Sequence, residues 1–417
     1  MLVRFLAENY LSFKGTAEFS MVASAITDEQ ADLISDDQVD GKLLPVAALY
    51  GANASGKSNF LASLDFLRSA IRRSHKDGTP DSSIPVIPFA LDPSREKAAS
   101  RFEIEFLLGG SRHVYKVELN AKRILKESLQ AYPLGRPQLW FQREGQEFEF
   151  GKSLRGENRA TAALTRENSL FLSAAATNNH EQLSQVFTYF SRIRTSNRDD
   201  SAGIMFARWY KDYRGQAKVL DILKSADIGV CGVSLESRER PKEIGQFISE
   251  FRELLKKSFK DLPPDVLDDV STVRLQHAGA VGSISLDFNL ESAGTKAFIG
   301  ILPAIVDTLD SGGVLILDEL VEALHPILSQ RIVGMFQNKE TNPKGAQFIF
   351  STHDTNLLNV LRRDQVWFTQ KNFAGESKLF PLTDFKTRKD DDVARDYLRG
   401  RYGALPFIEH LVKHDAD

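Results

Sequence analysis

A single cysteine, Cys231, stands among 417 residues. It excludes an internal disulfide and a cysteine-rich zinc site, and it fits a reducing compartment. The eight histidines lack the paired spacing of a zinc-binding helix. No G-x-S-x-G segment occurs, so the nucleophile elbow of a serine hydrolase is missing. No uninterrupted apolar run approaches the roughly 18 residues that a membrane span needs. The opening MLVRFLAENYLSFKG carries Glu8 and Lys14 where a signal peptide needs apolar residues, so a cytoplasmic protein is expected, away from membranes. A net charge of −3 gives no overall basic field. Any contact with nucleic acid would rest on a local patch. Internal repeats, low-complexity tracts and sustained heptads are also missing, which excludes a long coiled-coil arm.

What is present is an ordinary globular composition, 42% hydrophobic and 26% charged. One compact core rarely grows past roughly 250–300 residues. One large domain with an insertion, or two domains, is therefore expected. Residues 2–22 alternate loosely and predict two short strands around Lys14-Gly15. Residues 43–50 form a continuous apolar run that suits a strand buried on both faces. Phe60, Leu64, Leu67 and Ile71 then recur at helical spacing. From Arg101 to Gln130 the alternation returns around Gly109-Gly110, as in an antiparallel hairpin with further strands. Residues 155–265 lose it and read as a helical insertion, with Phe247, Phe251, Leu254, Leu255 and Phe259 on one amphipathic face. Buried strands come back at Val314–Leu317, Gln347–Phe350 and Val366–Phe368, with helical segments between them. The expected division is 1–154, 155–265 and 266–417. The fold class is α/β, with a mixed sheet, an antiparallel β subdomain and the insertion.

The chemistry gathers in three places. Gly51-Ala52-Asn53-Ala54-Ser55-Gly56-Lys57-Ser58, followed by Asn59, matches the phosphate-binding loop G-x-x-x-x-G-K-[ST]. Glycines let the backbone curl so that N–H groups face a phosphate, and the next helix adds positive partial charge. Lys57 is expected on the β- and γ-phosphates and Ser58 on Mg²⁺. The strand Val314–Leu317 ends in Asp318-Glu319. A carboxylate there can hold magnesium, and the next one can orient or deprotonate water. Ser351-Thr352-His353-Asp354 follows the strand 347–350, which sets His353 over the crevice where such sheets bind ligands.

These motifs, in this order, resemble the ABC-type ATPase head shared by Rad50, SMC proteins and bacterial AAA15-type ATPases. Glu291-Ser292-Ala293-Gly294-Thr295-Lys296, just before a predicted helix and the acidic strand, looks like the signature loop of that group. The resemblance implies ATP and Mg²⁺ as ligands. It implies that Ser292, Gly294 and Thr295 meet the γ-phosphate on a second subunit, in a homodimer or higher homo-oligomer. Asn9–Gly15, Leu324-His325-Pro326, Arg388-Lys389-Asp390 and Gly400–Ala404 are similar to other segments of the family. Val321-Glu322 departs from the acidic-then-small pair that relatives often carry. The last segments are closest in kind to AbiLi- or RloA-like phage-defence ATPases. These imply an ATPase switch over an effector from an adjacent gene, an RloB-like protein or a Toprim-type nuclease. A Rad50-like DNA-repair ATPase that binds DNA directly is the alternative, and a transporter subunit is a more distant third. No built-in nuclease is expected, because Asp390-Asp391-Asp392 reads as a solvated turn.

Overall fold

The computed structural model describes residues 1–37, 41–196, 202–237, 271–280, 282–320, 324–389 and 391–405. These fall into two compact units. The first takes in 1–196, 307–320 and 329–405, and the second takes in 202–306 and 324–328.

In the first unit, β1 (Leu2–Glu8) and β2 (Ala17–Ser20) pair antiparallel. A pair of two-residue strands follows, β3 (Ile34–Ser35) with β4 (Lys42–Leu43). Then comes β5 (Val46–Tyr50), buried at every position, and α1 (Lys57–Arg73). The helix buries Phe60, Leu61, Leu64, Leu67 and Ile71, the face its spacing predicted. A short α2 (Pro93–Glu96) leads to β6 (Ser100–Leu108), β7 (Ser111–Leu119), β8 (Ile124–Tyr132), β9 (Gln138–Glu144) and β10 (Glu147–Phe150). With β1 and β2 they form a seven-stranded antiparallel sheet, order β10-β9-β8-β7-β6-β1-β2. Alternating burial along β6 puts Phe102, Ile104 and Phe106 inside, against the α1 side of the core.

Helices α3 (Asn158–Leu164), α4 (Phe171–Thr177) and α5 (Glu181–Ser191) come next, and then β11 (Ile193–Ser196). All four belong to the first unit, so the expected boundary at 155 does not coincide with the division between units. The strand β11 has only one large apolar residue, Ile193, in a helical neighbourhood, and periodicity does not reveal it.

The second unit holds α6 (Ala202–Asp212), α7 (Gln216–Ser225) and a three-stranded antiparallel sheet. Its strands are β12 (Val230–Ser237), β13 (Ser271–Gly279) and β14 (Gly282–Asp287). Residues 155–265, expected to be mostly helical, thus also contribute the strands β11 and β12. Phe247, Phe251, Leu254, Leu255 and Phe259 lie outside the described residues. Helix α8 (Ala293–Ser311) leads to the remaining core strands. These are β15 (Val314–Leu317), β16 (Gln347–Ser351), β17 (Val366–Lys371) and β18 (Ser377–Pro381), with α9 (Pro326–Gln337) before β16.

The central sheet runs β11-β15-β16-β5-β17-β18. All its pairings are parallel except β17 with β18. Strands β5, β15 and β16 are buried on both faces, which is why they read as continuous apolar runs. Gln347 links the two sheets. Its Nε2 donates to Leu2 O at 2.9 Å and Leu44 O at 3.2 Å, and its Oε1 accepts from Leu2 N at 2.6 Å. A buried amide is tolerated because all of these bonds are made. Near the other end of the chain, Tyr402 is buried and stacks on Phe368 at 5.5 Å, so the 400–404 segment covers β17. No helix among the described residues is long and apolar enough to cross a membrane.

Candidate functional site

The loop between β5 and α1 is held in a shape that demands glycine. Gly51 has φ 153°, and a Cβ there would meet Thr369 O at 2.5 Å and Ser55 Oγ at 2.6 Å. Gly56 has φ 120°, and its Cβ would meet Ser377 Oγ at 2.5 Å. Four side chains from outside the loop brace it. Ser55 Oγ and Thr369 Oγ1 share a hydrogen bond of 2.6 Å. Ser377 Oγ donates to Ser55 O at 2.7 Å and lies 2.8 Å from Ser12 Oγ. Asn59 Nδ2 donates to Ser12 Oγ at 2.8 Å. Ser12 comes from the opening segment and Ser377 from β18.

Lys57 is buried at the start of α1 and folds back over the loop. Its ammonium donates to Gly51 O at 2.9 Å and Ala52 O at 3.1 Å. Burial pushes it below the usual lysine range, while Asp318 and Glu319 pull it back up. The acidic pair therefore acts on the lysine through space. Ser58 is exposed beside it.

Asp318 and Glu319 follow β15. Ser351, the last residue of β16, orients both. Its hydroxyl donates to Asp318 Oδ1 at 2.5 Å and accepts from Glu319 N at 2.8 Å. Glu319 has φ 56°, in the left-handed region that a glutamate rarely occupies. Backbone strain of this kind collects at functional sites. Next along β16's exit, Thr352 is buried and His353 is exposed.

These elements enclose a cavity of about 570 Å³ lined by Asn53, Ala54, Ser55, Gly56, Lys57, Ser58, Asn59, Glu319, His353 and Lys371. The geometry thus gathers the loop, Glu319 and His353, and adds Lys371, which the sequence did not single out. Gly51 and Asp318 do not line the cavity; Gly51 is packed beneath the loop. Ser292, Gly294 and Thr295 belong to the second unit and do not line it either. There Ser292 Oγ accepts from Thr295 N at 3.1 Å and caps the start of α8. Glu291 Oε1 lies 2.8 Å from His277 Nε2. Val321, Glu322 and Asp390 are outside the described residues.

A loop this crowded, with two positions that exclude any Cβ and a lysine over its carbonyls, fits a phosphate group. Among the described residues no group of three or more His, Cys, Asp or Glu side chains is placed to hold a metal ion.

No curated protein matches the chain. Solved structures that match include the SMC head domain from Thermotoga maritima, 15% identical, covering 91% of this chain and 98% of that one, with a TM-score of 0.41. The SmcHead bound to the C-winged helix domain of ScpA also matches, 13% identical, covering 91% and 96%, with a TM-score of 0.42. A family model described as "AAA domain, putative AbiEii toxin, Type IV TA system" matches residues 46–359, a span that holds the loop, the acidic pair and the histidine. The chain belongs to this AAA-domain family.

Proposed function

We propose that this chain binds ATP and Mg²⁺ at the Lys57 cavity, hydrolyses the nucleotide, and uses the cycle as a dimerising switch over a partner effector. The observation that carries the reading is the convergence of a glycine-demanding loop with Glu319 and His353 on one cavity. Lys57 exchanges its two loop carbonyls for β- and γ-phosphate oxygens. Ser58 and Asp318, both exposed, are the protein donors for magnesium. Magnesium keeps few protein ligands and takes the rest from phosphate and water, so a large carboxylate cluster is not needed. When bound, it neutralises charge on the phosphate oxygens. Glu319 orients or deprotonates the attacking water, and His353 hydrogen-bonds the γ-phosphate or that water. Ser292, Gly294 and Thr295 serve the γ-phosphate of a second copy, from the start of α8.

The family's description, with its toxin and toxin–antitoxin system, supports a defence setting and an effector that is a nuclease or toxin. One observation favours a second reading, direct DNA binding. Arg68, Arg72, Arg73 and Arg194 lie near enough to act on one another, with Arg68 paired to Asp65 at 2.7 Å and Arg194 to Asp307 at 3.2 Å. Such a cluster suits a phosphate backbone, with affinity falling steeply as salt rises.

The test is to purify the Glu319→Gln protein with ATP and magnesium and identify what accompanies it. Retained ATP, stalled turnover and a stoichiometric small protein support the switch. DNA without such a protein supports the second reading. Loss of ATP binding in this variant sinks the role given to Glu319.

A further inference from the structure

The nucleotide reading leaves one lining residue without a role. Lys371 ends β17 and faces the same cavity as Lys57, Ser58, Glu319 and His353. It is exposed, and no ion pair or side-chain hydrogen bond engages it among the described residues. Lys57, by contrast, is occupied by two carbonyls of its own loop. A lysine at the end of a hairpin strand is most often a solvated charge.

Two observations set Lys371 apart. The first is register. Lys371 pairs with Ser377 across the β17–β18 hairpin. Ser377 in turn donates to Ser55 O at 2.7 Å and lies where a Gly56 Cβ would go. The ammonium is therefore carried on a strand locked to the phosphate loop, not on a loose surface segment. The second is the order of strands. In β15-β16-β5-β17, the acidic pair and His353 come from one side of the loop strand, and Lys371 comes from the other. The groups suited to hydrolysis flank the γ-phosphate, so Lys371 flanks the opposite end of the phosphate chain.

We infer that Lys371 is a nucleotide-binding residue that holds the α-phosphate end, the part that ATP and ADP share. The inference rests on the ATP reading above. A cation there grips substrate and product alike, so it sets how long ADP stays after turnover.

The test is equilibrium binding of ADP and of a non-hydrolysable ATP analogue to the wild type, Lys371→Met and Lys371→Arg. Thermal unfolding of each checks the fold. Lys371→Met is expected to weaken both ligands by the same factor, about tenfold, as for a lost charge-assisted bond. Lys371→Arg, which keeps the charge, is expected to stay close to the wild type. Unchanged affinity in a folded Lys371→Met overturns the inference and leaves the ATP reading standing. A loss confined to the ATP analogue also overturns it, because the lysine would then serve the γ-phosphate. A wild type that binds neither nucleotide overturns the ATP reading itself.

Discussion

The two walls of the cavity are held in different ways. On one side, the phosphate loop is fixed by Ser12, Asn59, Thr369 and Ser377, and by two glycines where a Cβ would collide with its neighbours. On the other, the Asp318-Glu319 turn is anchored to Ser351, whose hydroxyl meets Asp318 Oδ1 and Glu319 N and whose carbonyl accepts from Leu320 N at 3.1 Å, and it carries a left-handed glutamate. The first wall is over-determined and preformed. The second carries backbone strain at Glu319. Binding needs a shape that does not change, whereas hydrolysis needs groups that meet a reacting phosphate only when it arrives.

The contrast can be broken experimentally. Lys57→Ala is expected to have the largest effect, removing measurable nucleotide binding and lowering turnover by about a thousandfold or more. Near-normal turnover in an ATPase assay would refute the phosphate-loop assignment. Gly56→Ala tests the rigid wall. Its methyl meets Ser377 Oγ at 2.5 Å and Ser377 Cβ at 2.8 Å, so the brace has to yield. The expected cost is about 1–3 kcal/mol of stability, from strained backbone and overpacking, together with loss of nucleotide affinity. Denaturant unfolding and nucleotide titration read the two effects.

Ser351→Ala tests the strained wall. It removes the hydroxyl that Asp318 Oδ1 and Glu319 N share. Turnover is expected to fall about tenfold, with a higher magnesium requirement and unchanged ADP affinity. A loss of ADP affinity instead would mean that both walls depend on this hydroxyl.

The smallest effect is expected far from either wall. Asp28 accepts from Arg363 Nε at 3.0 Å and Nη2 at 2.8 Å. Burial raises its pKa, but the Arg363 hydrogen bonds outweigh that and hold the carboxyl below its usual 3.8. A carboxyl lowered on folding adds stability above pH 3.8, and that stability is lost as pH falls through the folded value. Asp28→Asn should lower the melting temperature by about 2–4 °C at neutral pH. The difference should shrink in acid while nucleotide binding stays intact.

Much of this was legible in the sequence, for a local reason. The phosphate loop, the acidic pair and the histidine are each contiguous, and each follows a fully buried strand whose apolar run is plain. The braces were not legible. Ser12, Thr369 and Ser377 are common residue types, distant in the chain from Ser55 and Gly56, and only strand pairing brings them together. Ser351 was visible as part of a motif, but its role depends on β15 lying beside β16. Lys371 was hidden in the same way, because its value comes from its place across β5 from the acidic pair.

The hairpin brace has a consequence for how the molecule is made. Ser55 finds its partner Thr369 after 314 residues and Ser377 after 322. Synthesis runs from the N-terminus at roughly 5–20 residues per second. The loop therefore leaves the ribosome well before the strands that shape it. A nascent chain released short of β17 would carry the whole phosphate-loop motif and still lack the form that binds a nucleotide. Competence for ATP therefore waits until β17 and β18 have been made and have paired with the loop.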